Sequence, residues 1–231
     1  MAQMTVAVST DYGISMPVPV AQGASPGSIG GFDLQKAGPV SYAAMAAKIR
    51  KSADFSVTYS DFVLTTGANC VCLVIPYFTR NSTTTKNTTT STPDVIAALD
   101  AADSDGGSLY WISGAGVKTN ITSVAGMTFH HEHCVTVSYG THLAVFGAVA
   151  GVYKLYTSTD GGSTWTFRSN LTTPHFIRDR RNDTRAKQAG NHGQLYLAVD
   201  GFVDYSSIWD GSGMNPRTMP SSGIDGLDTI F

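Results

Sequence analysis

Residues 158–165 read Ser-Thr-Asp-Gly-Gly-Ser-Thr-Trp. Each fixed position of a short pattern is filled: Ser158, Asp160, Gly162, Thr164 and Trp165. The spacing predicts a tight turn joining two antiparallel strands. The Asp160 carboxylate and Ser158 hydroxyl can hold turn N–H groups, and the glycines permit positive φ. Trp165 can seal the hairpin onto a core. Apolar segments at 152–157 and 165–168 supply the two strands. With its acceptors occupied by the turn, Asp160 is expected to be structural, and the same holds for Asp11 below.

The pattern recurs. Residues 9–16, STDYGISM, keep Ser9, Asp11, Gly13 and Ser15 in register, with Met16 in place of Trp. Residues 103–110, DSDGGSLY, keep Asp105 and Gly107 but lack the leading Ser. Ser207, Asp210, Gly211 and Gly213 form a slipped fourth copy. These positions fit a period of roughly 50 residues with one unmarked unit, the sign of a propeller of small antiparallel sheets. The expected fold is therefore mainly β: a β-propeller-like array of about five units with two short helices. The alternative is an α+β or β-sandwich domain carrying such hairpins.

The four copies resemble the Asp-box repeats of bacterial-neuraminidase-type propellers. The resemblance implies structural turns placed away from any substrate pocket. It also invites a sialidase-like activity, which in that family needs three arginines, a Tyr/Glu nucleophile pair and an acidic proton donor. This chain departs from that set. Sixteen of its 17 acidic residues are Asp, Glu132 is its single Glu, and no arginine motif precedes the first box.

Composition narrows the class further. The 231 residues are 42% hydrophobic and only 14% charged, with a net charge of −2. This excludes a solvated disordered chain and a coiled coil, both of which are charge-rich. It also gives no global field for nucleic acid. No apolar run approaches the ~18 residues of a membrane-spanning helix. The N-terminus lacks a basic and then apolar leader, so no export signal is expected. One mainly-β domain over 1–231 is expected, without a linker.

Two runs read as helices: Ala-rich 38–53, and a segment opening on Thr92, Pro93 and Asp94 as a cap and ending at Gly106 and Gly107. Strand-sized apolar segments lie at 62–66, 69–78, 108–113, 134–138, 142–149, 152–157, 165–168, 195–199 and 202–209. The stretch 81–92 is low-complexity loop. Five Asn-x-Ser/Thr triplets begin at Asn81, Asn87, Asn120, Asn170 and Asn182 and follow from the Asn/Thr-rich composition. The three cysteines are expected to be free thiols, with Cys70 and Cys72 pointing the same way on one strand.

The densest chemical cluster is HHEHC at 130–134. On a strand, His131 and His133 would share one face, and His130, Glu132 and Cys134 the other. Nothing in the spacing nominates further ligands among His142, His175, His192 or Cys70, so hydrogen-bonded histidines are expected, with no metal and no cofactor. Arg178, Arg180, Arg181, Arg185 and Lys187, interrupted by Asp179 and Asp183, form the one charge-dense stretch and suit a partner contact.

Low charge, Ser/Thr/Asn/Gly-rich strands and the absent leader resemble bacteriophage virion proteins. The expected function is a non-enzymatic tail or host-attachment component of a virion, assembled in the host cytoplasm. Its expected partners are other virion subunits and further copies of itself, with host-surface glycans as a further candidate contact. The alternatives are a propeller lectin, with Trp111, Trp165 and Trp209 recurring as a sugar platform, and a sialidase-like glycosidase.

Overall fold

The structure is a computed structural model that describes residues 3–6, 20–24, 31–34, 40–45, 48–52, 60–63, 68–87, 92–131, 133–138, 140–172, 174–179, 195–199, 202–206 and 215–218. The described elements are all strands. A first pair, β1 (Gln3–Val6) and β2 (Val20–Ala24), forms a two-stranded sheet. The next four strands are β3 (Gly31–Leu34), β4 (Ser41–Met45), β5 (Lys48–Ser52) and β6 (Ser60–Val63). They are followed by β7 (Cys70–Val74), β8 (Val95–Leu99), β9 (Leu109–Ile112) and β10 (Lys118–Asn120). A third set is β11 (Val135–Ser138), β12 (His142–Val149), β13 (Val152–Ser158) and β14 (Thr166–Leu171). The last is β15 (Pro174–Asp179), β16 (Leu195–Val199), β17 (Phe202–Ser206) and β18 (Asn215–Thr218).

Each set of four is one antiparallel sheet in which every strand pairs with its sequence neighbour, and no sheet closes into a barrel. The chain is thus mainly β. The two expected helices are corrected: among the described residues there is none. The Ala-rich run forms the β4–β5 hairpin, with Met45 opposite Lys48 and Tyr42 opposite Lys51. The second run holds β8, and Asp94 caps no helix but accepts hydrogen bonds from Trp111 Nε1 at 2.9 Å and Gly114 N at 3.1 Å.

Both misreadings have one cause. Every residue of β8 and β9 is buried, because their sheet is covered on both faces. Val95, Ala97, Leu99, Tyr110 and Ile112 enter a core shared with Val40, Tyr42, Ala44 and Ile49 of the preceding sheet. Ile96, Ala98, Leu109 and Trp111 enter a second core with Val135, Val137, Leu143, Val145 and Phe146 of the following one. Strands apolar on both faces lose the period-two signal, and over five residues they cannot be told from a buried helix turn.

The sheets therefore succeed one another face to face. Their first strands lie side by side, β3 against β7, β7 against β11 and β11 against β15. Ile177 of β15 reaches into the core of the sheet before it. Four fully buried aromatics, Tyr42, Tyr110, Phe129 and Phe146, dominate these cores, and truncating any of them should cost about 3–5 kcal/mol.

The expected common orientation of Cys70 and Cys72 is also corrected. A register shift lies between them in the β7–β8 ladder. The extra residue turns Cys70 and Leu73 into one core and Cys72 into the other.

Candidate functional site

The turn at 159–165 joins β13 to β14. Asp160 Oδ1 accepts from Thr164 N and from Ser158 Oγ, each at 2.8 Å, and Oδ2 accepts from Thr164 Oγ1 at 2.6 Å. Ser158 Oγ in turn accepts from Gly162 N at 2.9 Å and Asp160 N at 3.3 Å. Gly161 and Gly162 have φ of 65° and 82°, where a Cβ would be strained. Burial raises the Asp160 carboxyl, but the hydrogen bonds from Thr164 and Ser158 outweigh it and hold the group below the usual Asp value. Trp165 is half-buried against the second core, and its Nε1 donates to Ile121 O at 3.0 Å.

Three loops meet at this end of the molecule. Arg80, in the β7–β8 connection, donates from Nε to Gly161 O at 2.9 Å and from Nη2 to Ser163 Oγ at 3.5 Å. Asn81 N donates to Gly140 O at 2.9 Å, Gly140 N to Ser82 O at 2.7 Å, and Gly161 N to Thr141 O at 2.8 Å. The turn is thus clamped across two sheets by Arg80, a residue sequence reasoning missed. Its only local signal was a lone cation at the edge of a Ser/Thr-rich loop.

The 103–110 turn carries a second, hidden version of the motif. Asp103 Oδ1 accepts from Asp105 N at 2.9 Å and Gly107 N at 3.3 Å, the same two relative positions that Ser158 serves in the other turn. Asp103 therefore takes the leading Ser's place. Tyr110, at the Trp165 position, donates its hydroxyl to Asp103 Oδ1 at 2.5 Å. Lys118 bridges Asp103 Oδ2 at 3.2 Å and Asp105 Oδ2 at 2.5 Å, with its Nζ 4.9 Å from the Tyr110 ring centroid. Burial, then the bond to Asp103, push the Tyr110 hydroxyl far above its ordinary value. This turn joins the second and third strands of its sheet, whereas 159–165 joins the third and fourth. The two are not equivalent repeats, and the regular spacing read through 103–110 is corrected accordingly.

Ser9, Asp11 and Gly13 lie outside the described residues, in the connection between β1 and β2, and so do Ser207, Asp210, Gly211 and Gly213, between β17 and β18. Arg180, Arg181, Arg185, Lys187 and Trp209 also lie outside them. Arg178 sits on β15 opposite Tyr196, and its side chain is not among those described.

The HHEHC segment is not a strand with two faces, since β11 starts at Val135. Glu132 is outside the described residues. His130 Nε2 lies 3.0 Å from Thr128 Oγ1, and His131 Nε2 lies 3.2 Å from Tyr153 Oη. The His131 ring also leans on Phe146 and Tyr153. His133 is exposed and holds Ile177 N through its carbonyl at 2.9 Å. Cys134 is buried. Among the described residues no three His, Cys, Asp or Glu side chains converge as a metal cage. The tryptophan platform of the lectin alternative fails at Trp111, which is 2% exposed in the core.

The carboxylates share a chemistry. Asp61 receives a bidentate Arg50 fork at 2.8 and 3.1 Å, which lowers its pKa. Asp100 receives Asn69 N and Nδ2 at 2.7 and 2.8 Å. With Asp94, Asp103, Asp105 and Asp160, every carboxylate whose side chain is described is engaged by a strand or turn. In comparison with known proteins, the chain matches no family model and no curated protein sequence.

Proposed function

We propose that the chain is a non-enzymatic assembly and surface-contact protein of a bacteriophage virion, a tail or host-attachment component, built as a propeller-like array of about five meander units. The observation that carries the non-enzymatic reading is the engagement of Asp61, Asp94, Asp100, Asp103, Asp105 and Asp160 in structural hydrogen bonds and ion pairs. Glycoside hydrolysis needs two carboxyl groups facing a substrate with their pKa values held apart. These six carboxylates, held by turns, strands and the Arg50 fork, are not available for that work.

The propeller arrangement is supported by consecutive four-stranded meanders whose first strands pack side by side. The connections between third and fourth strands, at 53–59, 113–117, 159–165 and 207–214, recur at roughly 50-residue intervals. Two of the sequence's Asp-box copies fall in such connections, and a third lies between β1 and β2, which would belong to a fifth unit. The virion assignment rests on composition: few charges, and polar Ser, Thr and Asn in place of ionic groups, suit a partly polar protein interface.

The test combines a chromogenic glycoside panel with native mass measurement of the full chain. No turnover and a defined multimer are expected. Turnover abolished by Glu132→Gln would overturn the reading in favour of a glycosidase, and a monomer that binds glycans would overturn it in favour of a lectin.

A further inference from the structure

We propose that Cys72 and Cys134 are an oxidisable pair that forms a disulfide between two sheets, while Cys70 stays a thiol. Cys72 lies on β7 and Cys134 immediately precedes β11, the first strand of the next sheet. These two strands pack against each other. Both side chains sit in the same core, at 1% and 0% exposure. A disulfide needs Cα atoms about 4.4–6.8 Å apart, a spacing within reach of residues that share one core on strands packed against each other.

The register shift in β7 decides which pairing is available. Without it Cys70 and Cys72 would share a face and compete for Cys134. With it Cys70 is turned into the opposite core, where its Sγ donates to Cys72 O at 3.5 Å. Cys70 and Cys72, two residues apart on one strand and turned into opposite cores, are poorly placed for a bridge to each other. The structure thus leaves one geometry of the three.

Burial sets the conditions. A fully buried thiol reacts slowly because oxidant must reach it, and burial also raises the Cys134 thiol. The bond is therefore made while the core is forming or opening. With glutathione disulfide as oxidant, the Cys72 thiolate attacks one glutathione sulfur and displaces a glutathione thiolate. The Cys134 thiolate then attacks the Cys72 sulfur of the mixed disulfide and displaces the second glutathione. Two protein thiols are oxidised, and one glutathione disulfide is reduced to two thiols.

The experiment uses the full chain, unfolded in denaturant with reductant and refolded either in a glutathione redox buffer or in reductant alone. Free thiols are then alkylated and the protein is mapped by non-reducing digestion. A Cys72–Cys134 crosslinked peptide with alkylated Cys70 is expected. The oxidised form should melt several degrees above the reduced form, because the bond closes a long loop. Cys70→Ala should leave the crosslink intact, and Cys134→Ala should abolish it. In a second arm, independent of refolding, diamide is added to the folded protein for hours at a temperature just below its melt, and the same crosslink is expected. A crosslink through Cys70, or three alkylated cysteines in both arms, overturns the proposal.

Discussion

Asp103→Ala removes the acceptor on which the hidden turn is built. The side chain is fully buried and serves the amides of Asp105 and Gly107, the Tyr110 hydroxyl and the Lys118 ammonium. Lys118 keeps a partner in Asp105, so it is not stranded. The Tyr110 hydroxyl, by contrast, sits on a residue 1% exposed and loses its acceptor. A stranded buried donor costs about 1–3 kcal/mol, and hydrogen bonds to a charged acceptor contribute about 1.5–3 kcal/mol each, without full additivity. The loss should be about 4 kcal/mol, within the range for removing one member of a buried ion pair. At about 2–4 °C per kcal/mol for a chain of this size, the melt should fall by roughly 10 °C.

Equilibrium guanidinium unfolding followed by circular dichroism reads this directly. The midpoint should move while the denaturant slope stays constant. Asp103→Ser should recover part of the loss, since a hydroxyl at this position can still hold the two amides as Ser158 does. It cannot replace the bonds to Tyr110 and Lys118. Combining Asp103→Ala with Tyr110→Phe should cost less than the sum of the two single changes, with a coupling of about 1–2 kcal/mol. If Asp103→Ser is no more stable than Asp103→Ala, Asp103 does not occupy the leading-Ser role. If the alanine variant lies within about 1 kcal/mol of the parent, the hydrogen-bond reasoning itself fails.

Trp165→Ala should cost about 2–3 kcal/mol, below the full burial value, because the indole is half-buried. Trp165→Phe should recover the packing but not the bond to Ile121 O, and thermal melts of both variants check the order. Asp61 and Asp160 both have folded pKa values below the ordinary Asp value. Their contribution is therefore fully present above the unfolded Asp pKa of about 3.9 and is lost as pH falls through the lower folded values. Stability should be level from neutral pH to about 5 and decline below about 4. The decline should be shallower in Asp160→Asn, and an equal slope in the variant would refute the carboxylate's role.

The strands legible in the sequence are those bounded by a marked turn. The β12–β13 and β13–β14 hairpins follow from strand-sized apolar segments at 142–149 and 152–157, broken at Ala150–Gly151, and from the Ser158–Trp165 turn. Tyr42, Ala43 and Ala44, and Val95 to Leu99, read as helical because two-sided burial removes alternation and small residues suit sheets stacked closely. Asp103 is hidden in the sequence because the pattern asks for a hydroxyl, although a carboxylate oxygen accepts from the same two amides. Arg80 acts through a carbonyl 81 residues away, and the register shift between Cys70 and Cys72 is decided by pairing with β8. Neither leaves a mark in local sequence.

The stacking of the sheets bears on why an array of this kind would assemble. A sheet in the middle of the stack, such as β7–β10, is stabilised by two cores, and its strands can be almost wholly apolar. A sheet at the end of an open stack would need one polar face or a cover. The strands described near either end do not resemble polar covers in sequence: β4 is SYAAM, β16 is LYLAV and β17 is FVDYS. Apolar surface left in water on such a face forfeits about 25 cal/mol per Å². Two arrangements remove that cost, closure of the stack into a ring or association with another subunit. The proposed propeller is the first, and its subunits would then associate through their outer surfaces and not through the core. Melting on dilution separates the two: a ring closed within one chain has no need of a partner for its core, whereas an open stack should lose its melt cooperativity on dilution below the dissociation constant.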